Sequence, residues 1–401
     1  MKILIINAGS SSIKFQLFEM KDESVIAKGT CQMIGLADPF IEYKAKGSEI
    51  VKHLPMKDHT QALQVVLDML SKSELKVVNS FDEIAAVGHR CVQGGWLYSE
   101  SVLITDEVIE NLKQTKDISP LHAEANIAGM VGCRKVMPNT PQVVVFDTAF
   151  HATMPEKAFM YGIKYEDYQN YHIRKYGFHG TSHRYILGET ARVLNKNPKD
   201  IKIISCHIGN GSSITAIKDG KSIDTTMGFT PLEGVMMGSR SGDIDPTVVS
   251  FLAAKKNKTA GEIVNYLNKE GGVLGVSGVS SDMRELGAAI QKGNKRAKLA
   301  FDMYCYRIVK HIGAMLAVLG GADAIVFTAG VGENDEAVRE EILKNLSYAG
   351  VDFDVEKNRH LPRGTVEELS TPKSKIKVYR IPTNEELLIA RDTKQIAKLK
   401  D

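Results

Sequence analysis

The sequence lacks a charge imbalance, a membrane-length apolar run, paired cysteines and low-complexity segments. Each absence closes off a class of function. Lys and Arg number 51 against 48 Asp and Glu, a formal net charge of +3. No basic stripe interleaved with aromatics is present, so nucleic acid is not an expected partner. The longest uncharged apolar stretch, 312–322, is about half of a ~20-residue membrane span and contains Gly320-Gly321. The start of the chain offers one Lys and four apolar residues before Asn7, too little for a signal-peptide core. Cys31, Cys91, Cys133, Cys206 and Cys305 are scattered and never spaced as CxxC. They read as buried thiols in a reducing compartment, and the expected location is the cytoplasm. With no Pro-rich linker or charge block to mark a boundary, 401 residues still exceed one ordinary core. Two domains are expected, meeting near residue 150.

What is present begins with the apolar run Ile3-Leu4-Ile5-Ile6 and the loop Asn7-Ala8-Gly9-Ser10-Ser11-Ser12-Ile13-Lys14. A short strand runs into small hydrogen-bonding residues, then into a second alternation at Ile13, Phe15 and Leu17. Alone this is either a serine-rich turn or a phosphate cradle, in which Gly9 admits an anion to the backbone N–H groups and Lys14 adds charge. It is no Walker A motif, because GxxxxGK[ST] is missing and the loop leads to a strand. A cousin at Ile208-Gly209-Asn210-Gly211-Ser212-Ser213-Ile214, also between strand-like runs, favours the cradle. Period-2 patterns predict strands over 2–6, 13–19, 25–31, 40–43 and 50–54, then 202–207, 213–218 and 222–226. Buried strands at 84–88, 142–146 and 324–328 alternate with helices over 60–75, 122–137, 246–256, 260–269, 283–291, 296–319 and 336–346. Each half thus opens on a hairpin sheet and continues as alternating helices and parallel strands.

Several polar residues follow buried strands, where open α/β sheets bind ligands. Gly330-Val331-Gly332-Glu333-Asn334 is either a plain αβ turn or a nucleotide contact. Arg90 precedes Gly94-Gly95, and Arg240 lies in Gly238-Ser239-Arg240-Ser241-Gly242-Asp243-Ile244-Asp245-Pro246. Arg240 either pairs with Asp243 or Asp245 in a solvated loop or waits for an oxyanion, for which the guanidinium fork suits carboxylate and phosphoryl alike. His179 and His183 have zinc-pair spacing, but Gly180, Thr181 and Ser182 place His179 before a helix and His183 within it. His179 therefore reads as a phosphoryl contact. Asp147 is a catalytic carboxylate or a turn cap. Glu385 is a helix-capping acid or a carboxylate that holds Mg²⁺ through water, and Asn7 can offer the metal an oxygen.

Together these motifs, with His89-Arg90, Phe146-Asp147-Thr148-Ala149-Phe150-His151, Tyr176–His183 and Thr383-Asn384-Glu385-Glu386, resemble the acetate/butyrate kinase family over the whole length. The resemblance implies the sugar kinase/Hsp70/actin superfamily: an α/β, duplicated ribonuclease-H-like fold with mixed central sheets and an interdomain cleft. The domains would be 1–150, with a C-terminal helix 386–401 packed back on it, and 151–385. It implies a homodimer and the reversible reaction ATP + acetate ⇌ ADP + acetyl phosphate, with Mg²⁺ or, as a substitute, Mn²⁺. It places Asn7 and Glu385 at the metal. Lys14, Ser10, Ser12, His207, Ile208, Gly209, Asn210, Gly211, Asp282, Met283, Arg284, Gly330, Val331, Gly332, Glu333 and Asn334 fall at the nucleotide. Arg90 and Arg240 meet the carboxylate and the phosphoryl, His179 stabilises the transition state, and Asp147 is the catalytic acid. Val92, Leu121, Phe178 and Pro231 match the pocket for the acetate methyl.

The chemistry is consistent with this. A carboxylate acceptor is already ionised at pH 7, so the site must supply positive charge more than a base. A propionate or butyrate kinase is the alternative within the family, differing by methylenes worth about 1–3 kcal/mol each. A sugar kinase would need a base and a polar pocket. A nucleotide-sensing or chaperone protein on the same scaffold would carry an additional module.

Overall fold

The computed structural model describes residues 1–119 and 122–400. It forms two compact units, one of Met1–Phe150 with Asn384–Asp401 and one of His151–Thr383. No helix among the described residues is long and apolar enough to cross a membrane.

The first unit is built on β1 (Lys2–Ala8), β2 (Ser12–Glu19), β3 (Ser24–Gln32), β4 (Phe40–Ala45), β5 (Ser48–His53), β6 (Ile84–Cys91), β7 (Val102–Leu103) and β8 (Gln142–Phe146). They form one mixed sheet in the order β5-β4-β3-β2-β1-β6-β8-β7. β1 pairs antiparallel with β2 and parallel with β6, and β6 pairs parallel with β8. The unbroken apolar run in β1 reflects cover on both faces. Leu4, Ile6 and Ala8 join the core beneath the helix His59–Lys72, whose Leu63, Val66 and Leu70 point inward. On the other face the helix Glu385–Ile396 packs over β1, β6 and β8. Gly88 permits that approach: a Cβ there would lie 2.4 Å from Thr393 Oγ1 and 2.8 Å from Ile389 Cγ2.

The second unit is built on β9 (Lys202–Ile208), β10 (Ser212–Lys218), β11 (Lys221–Thr225), β12 (Ala324–Thr328), β13 (Glu367–Glu368) and β14 (Lys377–Arg380). Their order is β11-β10-β9-β12-β14-β13. β9 is antiparallel to β10 and parallel to β12, which is parallel to β14. The run β3-β2-β1-β6-β8 and the run β11-β10-β9-β12-β14 therefore share one order and one pattern of directions. This is the duplicated ribonuclease-H-like topology, and each glycine loop joins the first two strands of its sheet.

Three local expectations change. Residues 329–334, read as a loop, form the short helix Ala329–Asn334. The Glu333 carboxylate accepts from Ala329 N at 2.8 Å and so satisfies a first-turn amide that would otherwise lack a partner. Ala329 adopts a left-handed φ of 65° as the chain leaves β12. Second, Glu385, assigned to the second domain, opens the helix Glu385–Ile396 of the first unit, with Asn384 as its N-cap. Third, the helices Asp106–Lys113 and Tyr165–Tyr171 lie where none was expected.

Candidate active site

In the first unit the carboxyl ends of β6 and β8 bring Arg90 and Asp147 together. Asp147 N donates to Cys91 O at 2.9 Å, which fixes the residue one step beyond β8. Its buried carboxylate accepts from Arg90 Nε at 3.0 Å and Nη2 at 2.5 Å, a bidentate pair. Glu385 Oε2 stands 3.9 Å from Arg90 Nε. Burial pushes the Glu385 carboxyl up to about 7; Arg90 opposes the rise, while Asp147 and Glu386 add to it. Burial alone would ease the proton off Arg90, but the charges of Asp147 and Glu385 outweigh it and hold the guanidinium more firmly ionised than usual.

The Asn7–Lys14 loop is a tight hairpin in which Gly9 N donates to Ser12 O at 2.8 Å. Asn7 lies opposite Lys14 in the β1–β2 register. Two residues that carry no motif in the sequence, one of them a histidine expected only at the surface or in a satisfied core, hold this corner. His59 Nε2 donates to Gly9 O at 2.7 Å. The buried Asn126 donates from Nδ2 to Ala8 O at 2.8 Å and accepts at Oδ1 from Val92 N at 3.1 Å. That amide ties the glycine loop to the segment after Arg90; a lone Asn inside an apolar helix pattern is its only trace in the sequence. Val92 is buried beside it, whereas Leu121 lies outside the described residues. Lys14 lines a cavity of about 320 Å³ on the sheet with Lys28, Lys44, Glu42 and Glu386.

In the second unit, Gly209, Asn210, Asp282, Met283, Arg284, Gly330, Val331 and Asn334 line one cavity of about 620 Å³, within the range of small-molecule sites. Gly238, Ser281, Tyr304 and Asp335 complete its wall, with Arg363. Several of the expected nucleotide residues are not in that lining. Gly332 packs beneath Ile208, and Glu333 is spent on Ala329 N and on Thr383 N at 3.0 Å. His207 instead stacks on His179, ring centroids 4.0 Å apart.

His179 caps the helix Gly180–Leu194 with a left-handed φ of 57°. It converges with Arg240 on the second glycine loop. A Cβ on Gly211 would lie 3.3 Å from Arg240 Nη1 and 3.6 Å from both Cε1 and Nε2 of His179. Arg240 does not pair with the acids beside it. Asp243 accepts from Gly234 N at 2.8 Å and faces His311 at 3.2 Å, and Asp245 accepts from Thr247 N at 2.8 Å. Arg240 Nη1 donates to Pro231 O at 3.2 Å, and burial disfavours its charged form. Phe178 is buried, and its carbonyl accepts from His151 Nε2 at 2.8 Å. Among the described residues no group of three or more His, Cys, Asp or Glu side chains forms a metal cage.

The chain matches the acetokinase family model over residues 2–391. It is 52% identical to the acetate kinase of Thermoanaerobacterium thermosaccharolyticum over 399 residues, 99% of each chain. Among solved structures it is similar to Porphyromonas gingivalis acetate kinase, at 45% identity and a TM-score of 0.95, covering 98% of this chain and 99% of that one. It is also similar to a propionate kinase from Francisella tularensis, at 38% identity and a TM-score of 0.91 with the same coverage. Two copies of one strand order, a glycine loop at the head of each, and this near-full-length likeness agree: the chain belongs to the acetokinase family.

Proposed function

We propose that this protein is an acetate kinase, transferring the γ-phosphoryl of ATP to acetate and reversibly yielding acetyl phosphate and ADP. The observation that carries the reading is Arg240: a half-buried guanidinium with no carboxylate partner among the described residues, beside His179 and Gly211. Such a charge is costly unless an anion arrives to meet it. The acceptor carboxylate is ionised at neutral pH and needs no base. The work is to neutralise charge as two anions approach in line.

In this reading the first unit serves the acceptor. Arg90 binds the acetate carboxylate, and the buried Val92 contributes apolar surface to its methyl. Asp147, both oxygens occupied by Arg90, orients that guanidinium; this favours an orienting role over proton acceptance. The second unit serves the nucleotide through Gly209–Gly211, Asp282–Arg284, Gly330, Val331 and Asn334, with Arg240 and His179 at the transferring phosphoryl. Lys14, Ser10 and Ser12 add charge and hydrogen bonds to the phosphates. Asn7 and Glu385 present hard oxygen donors, the set that suits Mg²⁺, with Mn²⁺ as a substitute. When bound, the cation would neutralise phosphate charge. A cytoplasmic homodimer completes the reading: the helix Thr247–Lys256 buries none of its residues, and Phe251 is 59% exposed, a face suited to a second copy.

The test is ATP-dependent acyl phosphate formation, trapped with hydroxylamine. Acetyl hydroxamate in step with ADP supports the reading, and ADP release without it refutes it. Propionate is the second candidate acceptor, favoured by the likeness to the Francisella tularensis propionate kinase. Comparing kcat/KM for two-, three- and four-carbon acids decides between them.

A further inference from the structure

Behind His179 lies a chain of hydroxyls and imidazoles that the phosphoryl chemistry does not itself call for. Ser213 Oγ is fully buried in β10, 2.9 Å from His179 Nδ1 and 2.7 Å from His183 Nε2. His183 Nδ1 in turn lies 2.8 Å from Ser205 Oγ. Both serines and His183 have no measurable exposure. We propose that Ser213 is a positioning residue that donates its hydroxyl proton to His179 Nδ1, so that His179 keeps its own proton on Nε2, facing the phosphoryl. The proposal rests on the reading that His179 acts at the transferring phosphoryl.

Burial, with His151 and His207 nearby, keeps His183 well below the usual histidine range, so it is neutral and carries one N–H. Ser213 has a single proton, and its two side-chain hydrogen bonds both run to histidines. It therefore donates to one and accepts from the other. In the first arrangement Ser205 donates to His183 Nδ1, His183 Nε2–H donates to Ser213, and Ser213 donates to His179 Nδ1. His179 then shows Nε2–H on the side of Gly211 and Arg240. In the reverse arrangement every proton runs the other way, and His179 presents a bare Nε2 lone pair or becomes imidazolium.

The surroundings select the first arrangement. A lone pair at Nε2 would repel a phosphoryl oxygen. An imidazolium would stand beside the Arg240 guanidinium and stacked at 4.0 Å on His207. A neutral Nε2–H donor meets an anion without either cost, and Arg240 supplies the charge. The stack on His207, itself 2.8 Å from Ser182 Oγ at Nδ1, holds the ring plane so that the serine need fix only the proton.

Nitrogen NMR of histidine-labelled protein, with His179 assigned by its loss in His179→Ala, reads the tautomer directly in the unmodified enzyme. His179 as Nε2–H supports the proposal; Nδ1–H or imidazolium at pH 7.5 overturns it whatever the kinetics show. Ser213→Ala should lower kcat at least about 10-fold, the lower end of what is lost when a metal-bound histidine loses its orienting partner. KM for ATP and acetate should stay within about 3-fold, and Ser213→Thr, which keeps the hydroxyl, should recover most of the rate. In a His179→Ala background Ser213→Ala should cost little more, and an equal loss there would show that the serine acts elsewhere. If His179→Ala alone retains near-normal kcat, the role of His179 at the phosphoryl fails instead, and the tautomer result stands apart from that.

Discussion

A guanidinium half withdrawn from water gains most when the ligand it meets is an anion, which makes Arg240 the residue where the chemistry is most exposed to test. Arg240→Ala should lower kcat by about 10³-fold or more, the scale at which arginines act on transferring phosphoryl groups. Turnover within tenfold of the parent would remove Arg240 from the phosphoryl. Asp147 makes a different prediction because both its oxygens are committed to Arg90. Asp147→Asn keeps the shape but loses the bidentate ion pair, so kcat should fall about 10- to 100-fold through misplacement of Arg90. A steady-state kcat within a few-fold of the parent would contradict the orienting role. At this scale the sequence was readable for charge: Arg90, Asp147, His179 and Arg240 stand out by type and by the glycines or strands beside them. Asn126, His59 and Ser213 do not, because a single amide, imidazole or hydroxyl gains its meaning only from partners 118, 50 and 34 residues away, respectively.

The loop that carries Arg240 is held by close backbone packing as well as by Asp243. Met237 N donates to Arg240 O at 3.0 Å, and Ser241 N donates to Leu267 O at 3.0 Å. Gly272, with φ at +60°, presses against this turn: a Cβ there would fall 2.2 Å from Met237 O and 2.7 Å from Arg240 O. Gly272→Ala should therefore displace Arg240, cutting kcat at least tenfold and lowering stability by more than about 2 kcal/mol. Turnover assays and chemical denaturation check both effects, and an unchanged kcat would detach Gly272 from the Arg240 turn. Among the elements, strands and long helices were legible because apolar periodicity reports burial. The helix Ala329–Asn334 was not, since its glycines argue for a turn, and the Glu333 carboxylate that closes its first turn is held there by a bond from Thr383 N, 50 residues away. The same contact removes Glu333 from the cavity that its neighbours Gly330, Val331 and Asn334 do line.

Across the whole molecule, buried histidines couple stability to pH. Burial brings His89 and His151 down to about 4, against 6.5 for an exposed imidazole. Between pH 6.5 and 4 the unfolded chain binds protons that the native histidines refuse, so stability rises with pH across that window and is lost as pH falls through it. Each histidine costs up to about 3 kcal/mol of stability by the time the pH has fallen to 4. Denaturation midpoints from pH 4.5 to 7.5 should climb and then level off, and His89→Gln should flatten the climb. Equal slopes in parent and variant would exclude His89 as a source. The exposed helix Thr247–Lys256 predicts that Phe251→Glu converts a dimer to a monomer in sedimentation without unfolding it. A parent already monomeric would contradict that surface. The duplication itself was visible in two glycine loops, one at the head of each half, and the common strand order of the two sheets gives it a structural basis.

Phosphorylation of the carboxylate is read from the stoichiometry of acetyl hydroxamate to ADP when the purified protein is given ATP, Mg²⁺, acetate and hydroxylamine. A carboxylate kinase predicts one hydroxamate per ADP in the parent, with both products falling together by about 10³-fold in a folded Arg240→Ala variant. ADP without hydroxamate, or hydroxamate formation that survives the loss of Arg240, would contradict it.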